Sequence, residues 1–338
     1  MDVKIPEVPV VLTTAAAFVI VVAGLRAAAS IMIPLLLALF IAALCSAPLF
    51  WMVRKGVPNA LAVLLIIFAL VVVATLMIFF VSRSLNALTQ QLPTYQDRLL
   101  LTIDQSIVWL QSHGVPIDRE NVLVTDYLSP RFLMTVVTYG LSILRVFITN
   151  MFLILLFVLF ILLEAASFPE KLRQAFPNPE VMEQLRFITA NVNLYMGYKT
   201  LISIGTGFLI WILLLLIGVD FAGTWGLLAF FLNFIPGIGS IIAAVPAIIW
   251  ALVQLGPSYA LLTLLAYLVV NIIIGNFVDP KLVGKKVGLS TLVVLISMIF
   301  WGWVFGPIGM LLSVPLTMIA KIIFASQEKT RWLAVLLE

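Results

Sequence analysis

Histidine and cysteine occur once each in this chain, and charged residues make up only 10% of it. Each scarcity excludes something. Cys45 stands alone, so no intrachain disulfide can form, and its place in an apolar run reads as a packed thiol. His113 stands alone in a polar segment, and one histidine cannot build a His-rich metal site. The chain holds no His-Glu pair, Cys pair or Ser-base constellation, which argues against an enzyme and gives no reason to expect a metal or cofactor. Charge is too thin for a soluble domain, where about a quarter of residues are charged. The net charge of +4 is modest and gives no reason to invoke nucleic acid.

What the chain has instead is apolar sequence, 63% hydrophobic with a mean hydropathy of +1.21. Several runs exceed the roughly 18 residues needed to cross hydrocarbon. The fold class is therefore an all-α polytopic membrane protein. Full spans are predicted at 8–25, 31–52, 59–82, 146–166, 200–217 and 259–275. The first is followed by others, so it reads as a span and not a cleaved signal peptide. A short turn at Arg26–Ser30 separates the first two, and Pro34 suits the first turn of the second. Residues 1–82 form the N-terminal three-span unit. Residues 83–145 are polar, with Leu85, Leu88, Leu92, Tyr95 and Leu99 at helical spacing. They read as an amphipathic helical extracytoplasmic subdomain that offers a packing or oligomer surface. "SHGVPID" (112–118) breaks it and "LSPRF" (128–132) starts another helix. Residues 146–199 hold the fourth span and a cytoplasmic amphipathic helix, 200–325 a transport core, and 326–338 a cytoplasmic tail.

Two apolar stretches in that core, 223–255 and 290–325, are too long for straight spans. A helix of that length would run about 45 Å or more, against about 30 Å of hydrocarbon. Each has a Gly/Pro break near its middle, "IPGIGS" (235–240) and "VFGPIGM" (304–310). Two readings are open: a kinked over-long span, or a hairpin that enters and leaves on one side. Basic residues arbitrate, because short cytoplasmic loops are rich in Lys and Arg. With both termini inside, hairpins place Lys281, Lys285 and Lys286 in the cytoplasm, with Arg26 the exception among short-loop charges. Single spans would put those three lysines outside. The hairpin reading is favoured. "IGSIIAAVP" (238–246) and "IGMLLSVP" (308–315) also share a pattern. One unit is then a span plus a hairpin, so its second copy is inverted, as in many secondary transporters.

The segments "LNFIPGIGSIIAAVPA", "NFVDPKLVGKKVGLSTLVVL" and "FWGWVFGPIGMLLSVPLT" resemble the signature segments of the autoinducer-2 exporter (AI-2E) family. The resemblance runs over nearly the whole chain and includes "PLLLALFIAAL" (34–44) and "LLE" (162–164). It is strongest toward the quorum-signal exporter subgroup. It implies a bacterial inner-membrane exporter of autoinducer-2, a small furanose-like diol, assembled as a homo-oligomer, a pentamer. Some relatives resemble sodium(lithium)/proton antiporters, so that activity is the alternative. The Pro-Gly pair varies among relatives of this kind, so Pro236 and Gly239 weigh more than Gly237.

A hydroxyl-rich ligand needs several hydrogen bonds, and broken helices free backbone groups that lipid will not satisfy. The candidate substrate-binding or gating residues are Asn233, Pro236, Gly239 and Ser240 at the first break. Asn271, Asn276, Asp279 and Lys281 follow, then Trp301, Gly306, Pro307 and Gly309 at the second break. A polar chamber between the two hairpin tips is expected. Each residue also has a plainer reading. Membrane asparagines commonly bond between helices, Asp279 and Lys281 make a loop ion pair, and Trp301 and Trp303 belong to an interfacial belt. No Asp, Glu, Lys or Arg falls mid-span, which argues against coupling through a buried carboxylate. Glu164, Asp220 and Asp279 sit at span ends. Membrane lipid and a small-molecule substrate are the expected partners.

Overall fold

The computed structural model describes residues 8–112, 130–165, 168–175, 179–275, 288–325 and 330–337. Every described element is a helix: α1 (Val8–Ala27), α2 (Ala29–Arg54), α3 (Asn59–Ser112), α4 (Pro130–Ala165), α5 (Phe168–Ala175), α6 (Pro179–Ile217), α7 (Ala222–Leu232), α8 (Gly239–Leu255), α9 (Pro257–Ile273), α10 (Thr291–Ala325) and α11 (Arg331–Leu336). By length and composition, four segments can cross a membrane: 29–54, 59–84, 189–217 and 291–325. Shorter apolar helices accompany them, at 149–165, 222–232, 239–255 and 257–273 among others. This is a multi-pass membrane protein. Its outer surface is accordingly apolar, with Phe68, Phe152 and Leu216 among many exposed large side chains.

Several boundaries differ from the sequence reading. Only Ala28 separates α1 from α2, so Arg26 closes α1 and the expected turn shrinks to one residue. Pro34 and Pro48 both lie inside α2, Pro34 beyond its first turn. The amphipathic segment after the third span continues the same helix, α3, to Ser112. Of the expected break at 112–118, Ser112 still ends α3 and 113–118 lie outside the described residues; the next described helix starts at Pro130. The amphipathic helix expected on the cytoplasmic side and the fifth span are one helix, α6. That continuity moves Lys199 from a predicted span end into the body of α6, where it is only 7% exposed.

Packing is built on α2, α3 and α4, which contact one another, with α4 and α3 also against α8. The α6–α7 pair is the tightest crossing. A Cβ at Gly207 would lie 2.7 Å from the Gly226 carbonyl oxygen, and one at Gly226 2.6 Å from that of Gly207. Two glycines facing each other let the backbones touch, the usual route to close helix pairing in lipid.

The two over-long apolar stretches both reverse direction. Between α7 and α8 the chain turns through 233–238, and Phe221 before α7 packs its ring 5.5 Å from Trp250 near the end of α8. α10 carries one non-helical residue, Gly306 (φ 66°, ψ −150°). Trp301 Nε1 donates to Thr317 Oγ1 at 3.0 Å. Sixteen residues of straight helix would hold those residues about 24 Å apart. α10 is thus two antiparallel arms.

The two turns are made alike. Each has a left-handed glycine, Gly237 (φ 73°) and Gly306, that a side chain would strain. Each then has a second glycine against the incoming arm. A Cβ at Gly239 would sit 1.8 Å from the Leu232 carbonyl oxygen, and one at Gly309 1.9 Å from that of Trp301. These are the glycines of the two Ile-Gly pairs in the sequence pattern. Gly237, given less weight from the sequence, is the residue whose backbone turns the first hairpin.

Gly239→Ala and Gly309→Ala are each expected to destabilise the protein by about 1–3 kcal/mol or more, the cost of overpacking without room to relax. Gly24→Ala, where nothing lies within 4 Å, is the control. Thermal unfolding of the three detergent-purified variants checks this; equal midpoints would refute the close approach.

Candidate functional site

Each hairpin is tied at its foot and held at its tip. At the foot of the first, the Asp220 backbone N–H donates to Gln254 Oε1 at 2.8 Å, and Gln254 Nε2 donates to the Gly218 carbonyl at 3.3 Å. At the foot of the second, Lys321 Nζ donates to the Gly288 carbonyl at 2.6 Å. Neither Gln254 nor Lys321 was among the candidates from sequence. Gln254 was legible as a lone amide at the end of an apolar run; its partner 34 residues upstream was not.

At the first tip, Asn233 ends α7 and is 9% exposed. Its Nδ2 donates to Ser203 Oγ on α6 at 2.9 Å. This is the interhelical bond that a membrane asparagine commonly makes. Phe234 follows and packs edge-on to Phe40 of α2, 5.4 Å between centroids. Pro236 is half-buried, and Ser240 is half-buried in the first turn of α8. At the second tip, Trp301 stacks on Phe305 (5.8 Å, 6°) and bonds Thr317 as above. It is a packing residue of the tip. Trp303 is 54% exposed, and the Arg26 guanidinium lies 4.5 Å over its ring. Arg26, at the end of α1, thus rests against the second tip. Pro307 is exposed and Gly309 buried. Asn271 is half-buried near the end of α9. Asn276, Asp279 and Lys281 lie outside the described residues.

The structure does not bring Asn271 to either tip through any described contact, and it sends the amide of Asn233 to a neighbouring helix. The void that touches both hairpins is about 380 Å³, and it is apolar. Phe230, Phe231 and Phe234 reach it from the first tip and Leu311 from the second, with Cys45 on α2 and Thr200 on α6. It lacks the donors that a hydroxyl-rich solute requires.

Charge is placed at the edges. Glu164 pairs with Lys171, and both side chains are more than half exposed. Such a pair contributes little, ~0–1 kcal/mol. Among the described residues no group of three or more His, Cys, Asp or Glu could hold a metal. Lys199 is the exception in position. It lies one turn from Ser203 on α6 and is nearly as buried.

The AI-2E transporter family model matches residues 15–329. The AI-2 transport protein TqsA of Escherichia coli is 42% identical over 320 residues, covering 94% of this chain and 92% of that protein. The putative transport protein YhhT of E. coli is 34% identical over 97% of this chain and 93% of its own length. A putative transport protein of Haemophilus influenzae is 35% identical over 95% and 94%.

Removing either side of the tip contact, in Asn233→Ala or Ser203→Ala, is expected to lower stability, with a pairwise coupling of about 0.6 kcal/mol as for other hydrogen bonds between membrane helices. A double-mutant cycle on thermal or denaturant unfolding measures it. Strictly additive losses would show that the two side chains do not act together.

Proposed function

The chain belongs to the AI-2E transporter family, and from that premise we propose that it exports a small polar signal, autoinducer-2, across the bacterial inner membrane by alternating access. The observation that carries the mechanism is the pair of helical hairpins, each closed at its foot and joined at its tip to a neighbouring helix by one polar contact beside apolar packing. The polar contact of each tip, one hydrogen bond or one cation–π contact, is worth only about 1 kcal/mol. A foot tied by backbone and side chain keeps the arms together meanwhile. That combination suits a gate. The substrate rests on the relative named for AI-2 transport, at 42% identity.

In this reading both termini are cytoplasmic and the protein is a homo-oligomer. The first hairpin is re-entrant from outside and the second from the cytoplasm, as inverted copies. Ser203 then holds the first tip toward the cytoplasm, and Arg26 holds the second toward the outside. The two tips close opposite sides, which alternating access requires. Asn233, Ser240 and the backbone of the turns supply the hydrogen bonds for the solute once the tips release.

Purified protein in proteoliposomes is expected to give saturable autoinducer-2 flux. Arg26→Gln, which frees the second tip, should change its rate more than its half-saturation. Sodium or lithium exchange for protons without autoinducer-2 flux would replace this reading with the antiporter. The orientation has a separate test in a Cys45→Ala background. Ser258→Cys should react with an impermeant maleimide only from outside, and Lys285→Cys only from inside. Ser258 is exposed and avoids Gly256, whose φ of 98° a cysteine would strain. The reverse pattern would exclude hairpins.

A further inference from the structure

The apolar void at the tips continues into a second of about 360 Å³, since Val73, Met77, Ile204 and Phe230 line both. Together they form a groove between α3 and α6, floored by α7 and walled at its inner part by α2 and α4. Along α6 it runs from Thr200 to Trp211, a rise of about 16 Å. Along α3 it runs from Leu70 to Phe80, a rise of about 15 Å. Both match half of a hydrocarbon layer about 30 Å thick. The groove opens on the lipid-facing surface: Val73 is 54% exposed, Ile204 54% and Phe208 52%. Its floor includes Gly223, where an added Cβ would come within 4 Å of Trp211 and Phe80, both lining residues.

We propose that this groove is a binding site for one acyl chain of a bilayer lipid, seated against the first hairpin tip. The occupant follows from continuity and size. The rim is already the lipid interface, the lining is apolar, and the length is that of one leaflet's tail. A void left empty here would forfeit dispersion contacts along its whole wall. The single polar atom at the inner end, Thr200 Oγ1, is buried without a hydrogen-bond partner among the described residues. A polar solute would demand more than one such group; a methyl-terminated chain demands none. Trp211, 41% exposed at the other end, suits the ring-and-headgroup level of an interface. The chain in the groove touches Phe230, Phe231 and Phe234, so the first tip cannot move without displacing it or carrying it along.

The sole cysteine makes the test direct. The full-length protein is placed in phosphatidylethanolamine/phosphatidylglycerol vesicles doped with a phospholipid bearing a mid-chain diazirine, and adducts are mapped after irradiation. Adducts are expected on the peptides holding Val73, Ile204 and Phe230–Phe234. They should be lost after Cys45 is capped with an alkyl methanethiosulfonate, which forms a mixed disulfide and places an alkyl chain in the groove, and should return on reduction. Ala74→Phe, at a buried position of the lining, should abolish the same adducts while leaving those on outward-facing Phe68. The capping arm uses protein already folded, so a folding defect in the variant does not decide the matter. Adducts on Phe68 with none in the groove overturn the proposal, whether the groove is empty or covered by a second copy. So do groove adducts that persist through both blocks.

Discussion

Everything in the C-terminal half depends on how a helix can be reversed inside an apolar core. A turn frees backbone N–H and C=O groups, and each left unpaired in hydrocarbon costs several kcal/mol. Here the cost is reduced by contact. At the first turn, Ile235 N–H reaches the Leu232 carbonyl at 2.9 Å and Gly239 N–H reaches Ile235 at 3.3 Å. Such short returns require the outgoing arm to touch the incoming one, and only a residue without Cβ can sit there. Gly239 and Gly309 meet that requirement in the same way. The feet follow from the same constraint: two arms that touch at the tip diverge unless something holds them at the open end. Gln254 and Lys321 do so by bonding backbone groups that the preceding loops leave unpaired.

The polar inventory of the membrane region is small, and the structure uses it for joints. Ser203 and Asn233 join α6 to the end of α7, Thr317 holds Trp301 across the break in α10, and Ser84 and Thr224 share a hydrogen bond of 2.5 Å that ties α3 to α7. Arg26 spends its charge on an aromatic face. With few polar side chains left over, voids inside the bundle are apolar by default. The groove beside the first tip has the wall chemistry of its surroundings.

Much of the architecture was legible because its signals are local. Span length, the paired Gly/Pro breaks and the Ile-Gly pattern can all be read along one stretch of chain. The lysine count, by contrast, speaks to sidedness, and Lys281, Lys285 and Lys286 lie outside the described residues. What the sequence concealed is pairing between distant residues. Nothing around Ser203 marks it as the partner of Asn233, and nothing around Arg26 points to Trp303. The amphipathic helix before the fifth span was legible, but its unbroken passage into that span was not, because its polar residues end where the apolar run starts. Gly237 was underweighted because variation among relatives says less about a backbone angle than the angle itself.

The pins and the groove together place a condition on any gating by the first hairpin. Breaking the bond from Asn233 to Ser203 exposes a donor and an acceptor in a region of low dielectric, where unpaired groups are most costly. A hydroxyl-rich solute can accept from the one and donate to the other, so it substitutes for the bond it displaces. An apolar solute cannot. The side of the tip that faces the apolar void, through Phe230 and Phe234, gains nothing from the exchange. Selectivity for polar solutes would then reside in the hydrogen bond at the tip rather than in a polar chamber. The apolar wall would set how far the tip can travel. An ion alone, with no matched donor and acceptor, would replace only half of the bond.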